Sequence, residues 1–313
     1  MIKVSNLVKK FDAITAVDDI SFNVEKSEVL GFLGPNGAGK STTMRMVTCF
    51  LPPTSGAAEV NGYDILSQSV QVRRQIGYLP ENAPVYPDMT VQGYLKFIAE
   101  MRGLYGKNKI DAVDHALATC SLQNVRHQSV DTLSKGYKQR VCFAQAIIHD
   151  PPILILDEPT DGLDPNQKHE VRQLISRMAE DKCIVLSTHI LEEVDAVCTR
   201  AIIIAKGKIV ANGTPGELKT QSELHGAVTL TLESVAEDAA IPALSSLPGV
   251  YHAKTLSKNN TQLVVRVFPK EKVSIAHTVS SAVRDKKWQL EEFKIEQGRL
   301  DEVFRRITTE VDS

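Results

Sequence analysis

The chain has 313 residues and carries 36 lysines and arginines against 38 aspartates and glutamates, a formal charge of −2. Its length exceeds one average domain and predicts one large and one smaller unit. The balanced charge supplies no overall field for nucleic acid, so nucleic acid is not an expected partner and any nucleotide must be bound locally. No run approaches the roughly eighteen apolar residues of a membrane span. Cys49, Cys120, Cys142, Cys183 and Cys198 form no C-x-x-C pair and lie mostly in apolar periodic segments, which reads as buried, reduced thiols of a cytoplasmic protein.

From Met1 to about Thr220, short apolar strands alternate with amphipathic helices, the pattern of an α/β domain with a largely parallel sheet. Met1 to Asn6 is too short in apolar residues for a secretion signal and reads as an opening strand. Val29 to Leu33 is a strand, Thr42 to Cys49 is helix-like, and between them stands Gly34-Pro35-Asn36-Gly37-Ala38-Gly39-Lys40-Ser41. This fits G-x-x-x-x-G-K-[ST]: the glycines let backbone N–H groups turn inward around a triphosphate, and the following helix aims its N-terminus at the same anion. Lys40 supplies a compact cation for the β- and γ-phosphates, and the Ser41 hydroxyl can ligate Mg²⁺.

Between Gln71 and Gln128 strand runs disappear and helical spacing dominates, as in Tyr94, Leu95, Phe97, Ile98 and again in Ala112, Val113, Ala116, Leu117. A helical subdomain is expected to interrupt the sheet. Leu133-Ser134-Lys135-Gly136-Tyr137 follows, placing a serine and a glycine at the start of a helix with apolar positions Val141, Ala144, Ile147 and Ile148, a second anion site. Ile153 to Leu156 reads as a strand buried on both faces that ends on Asp157 and Glu158, at the carboxyl edge where nucleotides bind. Asp157 can hold Mg²⁺ through water. Glu158 can orient or deprotonate the attacking water, a role contributing about 10²- to 10⁴-fold. Ile184 to Leu186 and Ala201 to Ala205 are further buried strands, and Thr214-Pro215 caps a short helix.

A different pattern follows. Strands at Val228 to Leu232, Tyr251 to Leu256, Leu263 to Phe268 (after a turn at Asn259-Asn260) and Trp288 to Ile295 are separated by helices at Ile241 to Leu247 and Val273 to Val283. A helix from Leu300 to Ile307 closes the chain. The order βαββαβ predicts a ferredoxin-like α+β domain.

The segment Leu133 to Tyr137 resembles the signature motif of ATP-binding cassette (ABC) ATPases, usually Leu-Ser-Gly-Gly-Gln, with Ser134 and Gly136 matching and Lys135 and Tyr137 departing from it. With the motifs around it, the resemblance covers residues 1–218. It implies a P-loop NTPase cassette with a mostly parallel sheet core, antiparallel N-terminal strands and a helical subdomain at about 71–149, leaving 219–313 as an accessory or regulatory domain. Gly34, Pro35, Asn36, Gly37, Ala38, Gly39, Lys40, Ser41 and Thr42 would then hold ATP. Phe11 would stack on adenine, although a phenylalanine there could equally enter the core. Asp164, in Asp161-Gly162-Leu163-Asp164, matches a loop that passes the partner subunit's site and also reads as a helix N-cap. His189, in Ser187-Thr188-His189, matches the switch histidine near the γ-phosphate. Glu81 stands where the family has a glutamine, and either can reach Mg²⁺ through water.

In such ATPases two cassettes face head to tail, so Ser134 and Gly136 would close on the partner's ATP. The implied partners are a second cassette, as a homodimer or a paired chain, and an integral membrane permease. The permease would be met by Asn82 to Val91, with Pro84, Tyr86 and Pro87, and would hold the protein at the inner face of the cell membrane. Tyr78 to Glu81, the signature segment and Leu300 to Phe304 especially resemble bacterial drug, polysaccharide and gliding-motility exporter ATPases. A soluble ABC-type ATPase of translation or DNA repair is the competing reading, but neither a long coiled coil nor a second cassette is visible.

Overall fold

The apolar runs without alternation become the interior of a six-stranded sheet. The structure, a computed structural model, describes residues 1–82, 85–259, 261–270 and 273–310, so Pro84 and Asn260 lie outside the described residues. Two compact units emerge, Met1–Pro215 and Gly216–Glu310.

The first unit opens with β1 (Ile2–Phe11), β2 (Ile14–Val24), β3 (Val29–Leu33), α1 (Lys40–Val47), β4 (Ser55–Val60), β5 (Tyr63–Asp64), α2 (Ser69–Gln75) and β6 (Ile76–Leu79). Helices α3 (Val91–Met101), α4 (Gly106–Thr119) and α5 (Lys135–Ile147) come next. The remainder is β7 (Ile153–Asp157), α6 (Pro165–Met178), β8 (Cys183–Thr188), α7 (Leu191–Val197), β9 (Arg200–Ala205) and β10 (Lys208–Gly213); of α8 (Pro215–Lys219), only Pro215 belongs to the first unit.

The larger sheet has the order β10-β9-β3-β8-β7-β6, parallel except for β10 at one edge. Every residue of β3, β7 and β8 is buried, as expected of parallel strands covered on both faces. One face, with Leu30, Phe32, Ile153, Ile155, Val185 and Ile202, packs on an antiparallel sheet of order β2-β1-β4-β5 through Ile2, Val4, Leu7, Ile20 and Val24. Phe22 of one sheet meets Phe32 of the other edge-on, with ring centroids 4.9 Å apart.

The P-loop cassette fold expected from the sequence is the fold observed, with two corrections. The opening strand runs on to Phe11 and forms a long hairpin with β2. Within Gln71 to Gln128, where strands were not expected, β6 joins the edge of the large sheet. Its sequence, Ile76-Gly77-Tyr78-Leu79, is too short and too interrupted by glycine to stand out; pairing with β7 makes it a strand. Beyond it the helical expectation holds. In α3, Val91, Tyr94, Leu95 and Ala99 form one buried face, and Thr90 caps the helix by accepting a hydrogen bond from Gly93 N.

The second unit is β11 (Val228–Glu233), α9 (Glu237–Ser245), β12 (Val250–Lys258), β13 (Gln262–Pro269), α10 (Ala276–Asp285), β14 (Gln289–Ile295) and α11 (Leu300–Glu310). Its antiparallel sheet has the order β12-β13-β11-β14, the arrangement that a ferredoxin-like βαββαβ chain requires. Alternation decides the faces: Val228, Leu230 and Leu232 lie in the core opposite Val267, Val265 and Leu263, while Thr229 and Thr231 face away. Helix α9 starts earlier than the apolar positions suggest, because Glu237 and Asp238 suit the positive end of its dipole.

Cys120, Cys142, Cys183 and Cys198 are buried and free, and burial pushes each thiol up to about 12, so they are unreactive core residues. No helix among the described residues is long and apolar enough to cross a membrane.

Two stability predictions follow from this packing. Phe32→Ala, which empties the contact between the two sheets, should cost about 3–5 kcal/mol in urea unfolding. His149, just beyond α5, has Nε2 3.2 Å from the Ile76 carbonyl oxygen, and burial, followed by the charge of Arg102, pushes its imidazole down to about 4 from 6.5. Between those values the unfolded chain binds more protons, so stability falls as pH drops from about 6.5 towards 4. His149→Gln should flatten the urea midpoint across that window.

Candidate functional site

Parallel strands in register end together. β3 and β8 pair from Val29–Ile184 to Leu33–Thr188, and β7 and β8 from Ile153–Cys183 to Asp157–Ser187. Gly34, the pair Asp157 and Glu158, and the run Ser187 to His189 are thereby delivered to one edge of the sheet.

The loop from β3 into α1 needs glycine at defined places. Gly37 has φ 80° and Gly39 φ 108°, both left-handed, and a Cβ on Gly39 would lie 2.6 Å from the Ala16 carbonyl oxygen. Lys40 begins α1 and folds back over the loop. Its buried ammonium donates to the carbonyls of Gly34 at 2.8 Å and Pro35 at 3.3 Å, and lies 3.6 Å from Glu158 Oε1.

Asp157 is buried, and its Oδ1 accepts from Ser41 Oγ at 3.1 Å and from Ser187 Oγ. Ser187 also holds Glu158, because Glu158 N donates to Ser187 Oγ and to Ser187 O, both at 3.1 Å. These bonds secure a left-handed backbone at Glu158, φ 50°, a conformation costing about 1–3 kcal/mol in a non-glycine residue. Glu158 Oε2 stands 2.8 Å from His189 Nδ1. A carboxylate there selects the tautomer with its hydrogen on Nδ1 and leaves Nε2 as an acceptor.

The resulting cavity of about 490 Å³ is lined by Asn36, Gly37, Gly39, Lys40, Ser41, Thr42, Glu81, Glu158, Asp161 and His189, a size suited to a small ligand. Its oxygen donors fit Mg²⁺: Ser41 and Asp157 offer a hydroxyl and a carboxylate, hard ligands too few to enclose the ion without phosphate oxygens and water. Asp161, which lines the cavity, and Ser187, which bonds Asp157 and Glu158, are site positions to which sequence reasoning gave no role of their own. For Asp161 a signal existed, because it opens the Asp161-Gly162-Leu163-Asp164 segment three residues beyond Glu158; in the structure its N–H donates to Glu158 O at 3.2 Å.

Of the expected site residues, Phe11, Gly34, Pro35, Ala38, Ser134, Gly136, Asp157 and Asp164 are not among those lining this cavity. Phe11 is 44% exposed at the end of β1 with Lys9 Nζ 5.1 Å above its ring, so it is not a core residue. Ser134 caps α5, accepting from Tyr137 N at 3.4 Å, and the Tyr137 ring carries the Arg140 guanidinium at 5.3 Å. Gly136 packs so closely on Gln167 that a side chain would collide with the amide. Lys135 Nζ lies 3.5 Å from Asp161 Oδ2, and Gln139 Nε2 donates to Pro159 O at 3.0 Å. Asp164 caps α6, accepting from Gln167 N at 2.9 Å. The start of α5 is therefore fastened to the loop that follows Glu158. Gly39→Ala, by contrast, should disturb the cradle itself, lowering stability by about 1–3 kcal/mol and weakening nucleotide affinity at least about tenfold in titration calorimetry.

Comparison with known proteins matches residues 17–161 to the ABC transporter family. The chain is 38% identical over 223 residues to the probable multidrug ABC transporter ATP-binding protein YbhF of Escherichia coli K12, covering 71% of this chain and 38% of that protein. It thus spans about two fifths of the length of that relative. Against the linearmycin resistance ATP-binding protein LnrL of Bacillus subtilis 168 it is 30% identical over 310 residues, covering 98% of each. A solved structure of an ATP-binding subunit of an ABC transporter superposes with a TM-score of 0.65 at 31% identity, covering 71% of this chain and 92% of that one. With its phosphate cradle, acidic strand end and signature segment on the fold these relatives share, the chain belongs to the ABC transporter family, among its ATP-binding proteins.

Proposed function

We propose that this chain is the ATP-hydrolysing subunit of an exporter, working as a homodimer on a separate membrane permease at the inner face of the cell membrane. One observation carries the reading: Lys40, Ser41, Glu158 and His189 share a cavity, while Ser134 and Gly136 lie off it in the same chain. A second copy set head to tail would bring its α5 N-terminus, with Ser134, Lys135 and the Gly136 amide, over the bound γ-phosphate. ATP would then act as glue between subunits, and loss of the γ-phosphate would release them.

Within one chain the chemistry begins with Lys40. A γ-phosphate carries a full negative charge where the Gly34 and Pro35 carbonyls are neutral dipoles, so it would draw the ammonium away from them and from Glu158. Glu158, still held by His189, becomes free to accept a proton from the attacking water. Ser41, with Asp157 and Glu81 through water, would hold Mg²⁺, whose charge screens the phosphates. Phe11, exposed at the end of its strand, is available for adenine to stack on, a contact worth about 1–3 kcal/mol in nucleic-acid systems.

A groove beside the helical region supports a membrane partner. Exposed Phe50 and Met101, at 77% and 72%, line it with Val70, Arg73 and Arg102, and a cytoplasmic helix of the permease with apolar and acidic side chains would match this lining. Exposed Tyr86, in the segment also assigned to permease contact, packs edge-on against Phe97 at 5.6 Å. The names of YbhF and LnrL favour drug export over a role in translation or DNA repair. Residues 219–313 would regulate or stabilise the dimer.

Glu158→Gln should cut ATP turnover by about 10²-fold or more while preserving ATP binding. With saturating Mg-ATP it should elute as a dimer in size-exclusion chromatography and, from detergent-solubilised membranes, retain an integral membrane protein. A strictly monomeric profile would refute the shared site.

A further inference from the structure

Glu193 lies in the first turn of α7, four residues beyond His189, and is 2% exposed although it lies outside the nucleotide cavity. Its Oε2 accepts a 2.7 Å hydrogen bond from Thr188 Oγ1. The same hydroxyl accepts from Ile190 N at 3.0 Å, and Glu193 N donates to Ile190 O at 3.1 Å. Three bonds thus enclose the turn Thr188–Ile190, from which His189 projects towards Glu158.

Two successive hydroxyls at the end of β8 serve opposite partners. Ser187 donates to Asp157 and accepts from the Glu158 amide, while Thr188 donates to Glu193. Ser187 holds the Glu158 side of the Glu158–His189 contact, and Thr188 holds the histidine side. Packing alone does not account for an acid at position 193. Burial pushes its carboxyl up, with the Thr188 bond and then the charges of Arg172 and Lys168 pulling it back, and an apolar side chain of similar volume would avoid the cost of burying the acid. What an apolar residue could not do is accept the hydrogen of Thr188, which is itself fully buried and has no solvent to turn to.

We propose that Glu193 is a positioning residue for ATP hydrolysis, fixing through Thr188 the turn that holds His189 against Glu158. This rests on the hydrolytic roles given above to Glu158 and His189. In the full chain, Glu193→Ala should lower kcat for Mg-ATP about 10- to 100-fold, as expected of a misplaced catalytic group. KM and Mg-ATP affinity should move less than about twofold, because ground-state binding is untouched. Glu193→Gln keeps an oxygen to accept from Thr188 and should return kcat to within about threefold of wild type. Thr188→Val keeps the shape of the threonine, should match the loss in Glu193→Ala, and carries the test if that variant does not fold. The double variant should be no worse than either single one.

Wild-type kcat in Glu193→Ala or Thr188→Val, equal losses in Glu193→Gln and Glu193→Ala, or losses that multiply in the double variant would overturn the proposal. Glu158→Gln measured alongside separates the two layers. Full turnover in that variant would remove the hydrolytic reading itself, whereas its loss together with an unaffected Glu193→Ala would remove only the positioning role.

Discussion

The register between β7 and β8 sets Asp157 opposite Ser187, and the site is built outward from that pair. One hydroxyl bridges the Asp157 carboxylate and the Glu158 amide, so the proposed metal-side carboxylate and the proposed base are held by the same group. Glu158 can then keep a left-handed backbone that would relax if the bridge were absent. Since successive side chains on a strand point to opposite faces, a slip of one residue would turn Ser187 away and place Thr188 opposite Asp157. Burial of every residue in both strands makes that slip costly, because it would exchange the apolar sets packed above and below the sheet.

Electrostatics make the cavity a poor resting place for a polyphosphate on its own. Lys40 faces Glu81, Glu158 and Asp161 along the lining, with Asp157 behind them, and its ammonium is already shared among two carbonyls and Glu158. In the proposed reading binding would redistribute that cation, and the free backbone amides at the start of α1, its dipole and a bound Mg²⁺ would supply the rest of the positive potential. The excess of acid along the lining would suit the proposed site, which a metal ion and a second subunit complete.

The start of α5, which serves a neighbouring subunit in the proposed dimer, is tied to the loop following Glu158 in its own chain. Gln139 holds Pro159, Lys135 lies against Asp161, and Gly136 packs on Gln167. The Lys135–Asp161 pair is exposed and weak, worth at most about 1 kcal/mol. Gln139 is buried, and its hydrogen bond is the firmer link. In the proposed dimer, a shift of the Glu158 loop would therefore be felt at the surface presented to the partner. Lysine in place of the family's first glycine and tyrosine in place of its glutamine have local uses here, one against the acidic loop and the other under Arg140.

What could be read along the chain were features whose chemistry is local. The phosphate cradle is a matter of backbone freedom and one lysine within a few residues, and the buried strands announce themselves by uninterrupted apolar runs such as Ile153 to Leu156. The alternation of Val228, Leu230 and Leu232 likewise implied a half-covered antiparallel sheet. The strand β6 was hidden because four residues around Gly77 form a strand only when β7 lies beside them, and Phe11 was undecided between core and surface because nothing in its neighbours says which way β1 faces. Ser187 and Glu193 were illegible for the same reason. A serine before a histidine and a glutamate in a helix are ordinary until strand register sets one against Asp157 and helix packing sets the other against Thr188. Sequence alone determined the phosphate-binding loop and the class of fold, since both follow from short-range backbone and hydrophobic patterning. Only the tertiary structure decided which hydroxyls and acids meet, because those distances depend on long-range pairing that no local pattern encodes.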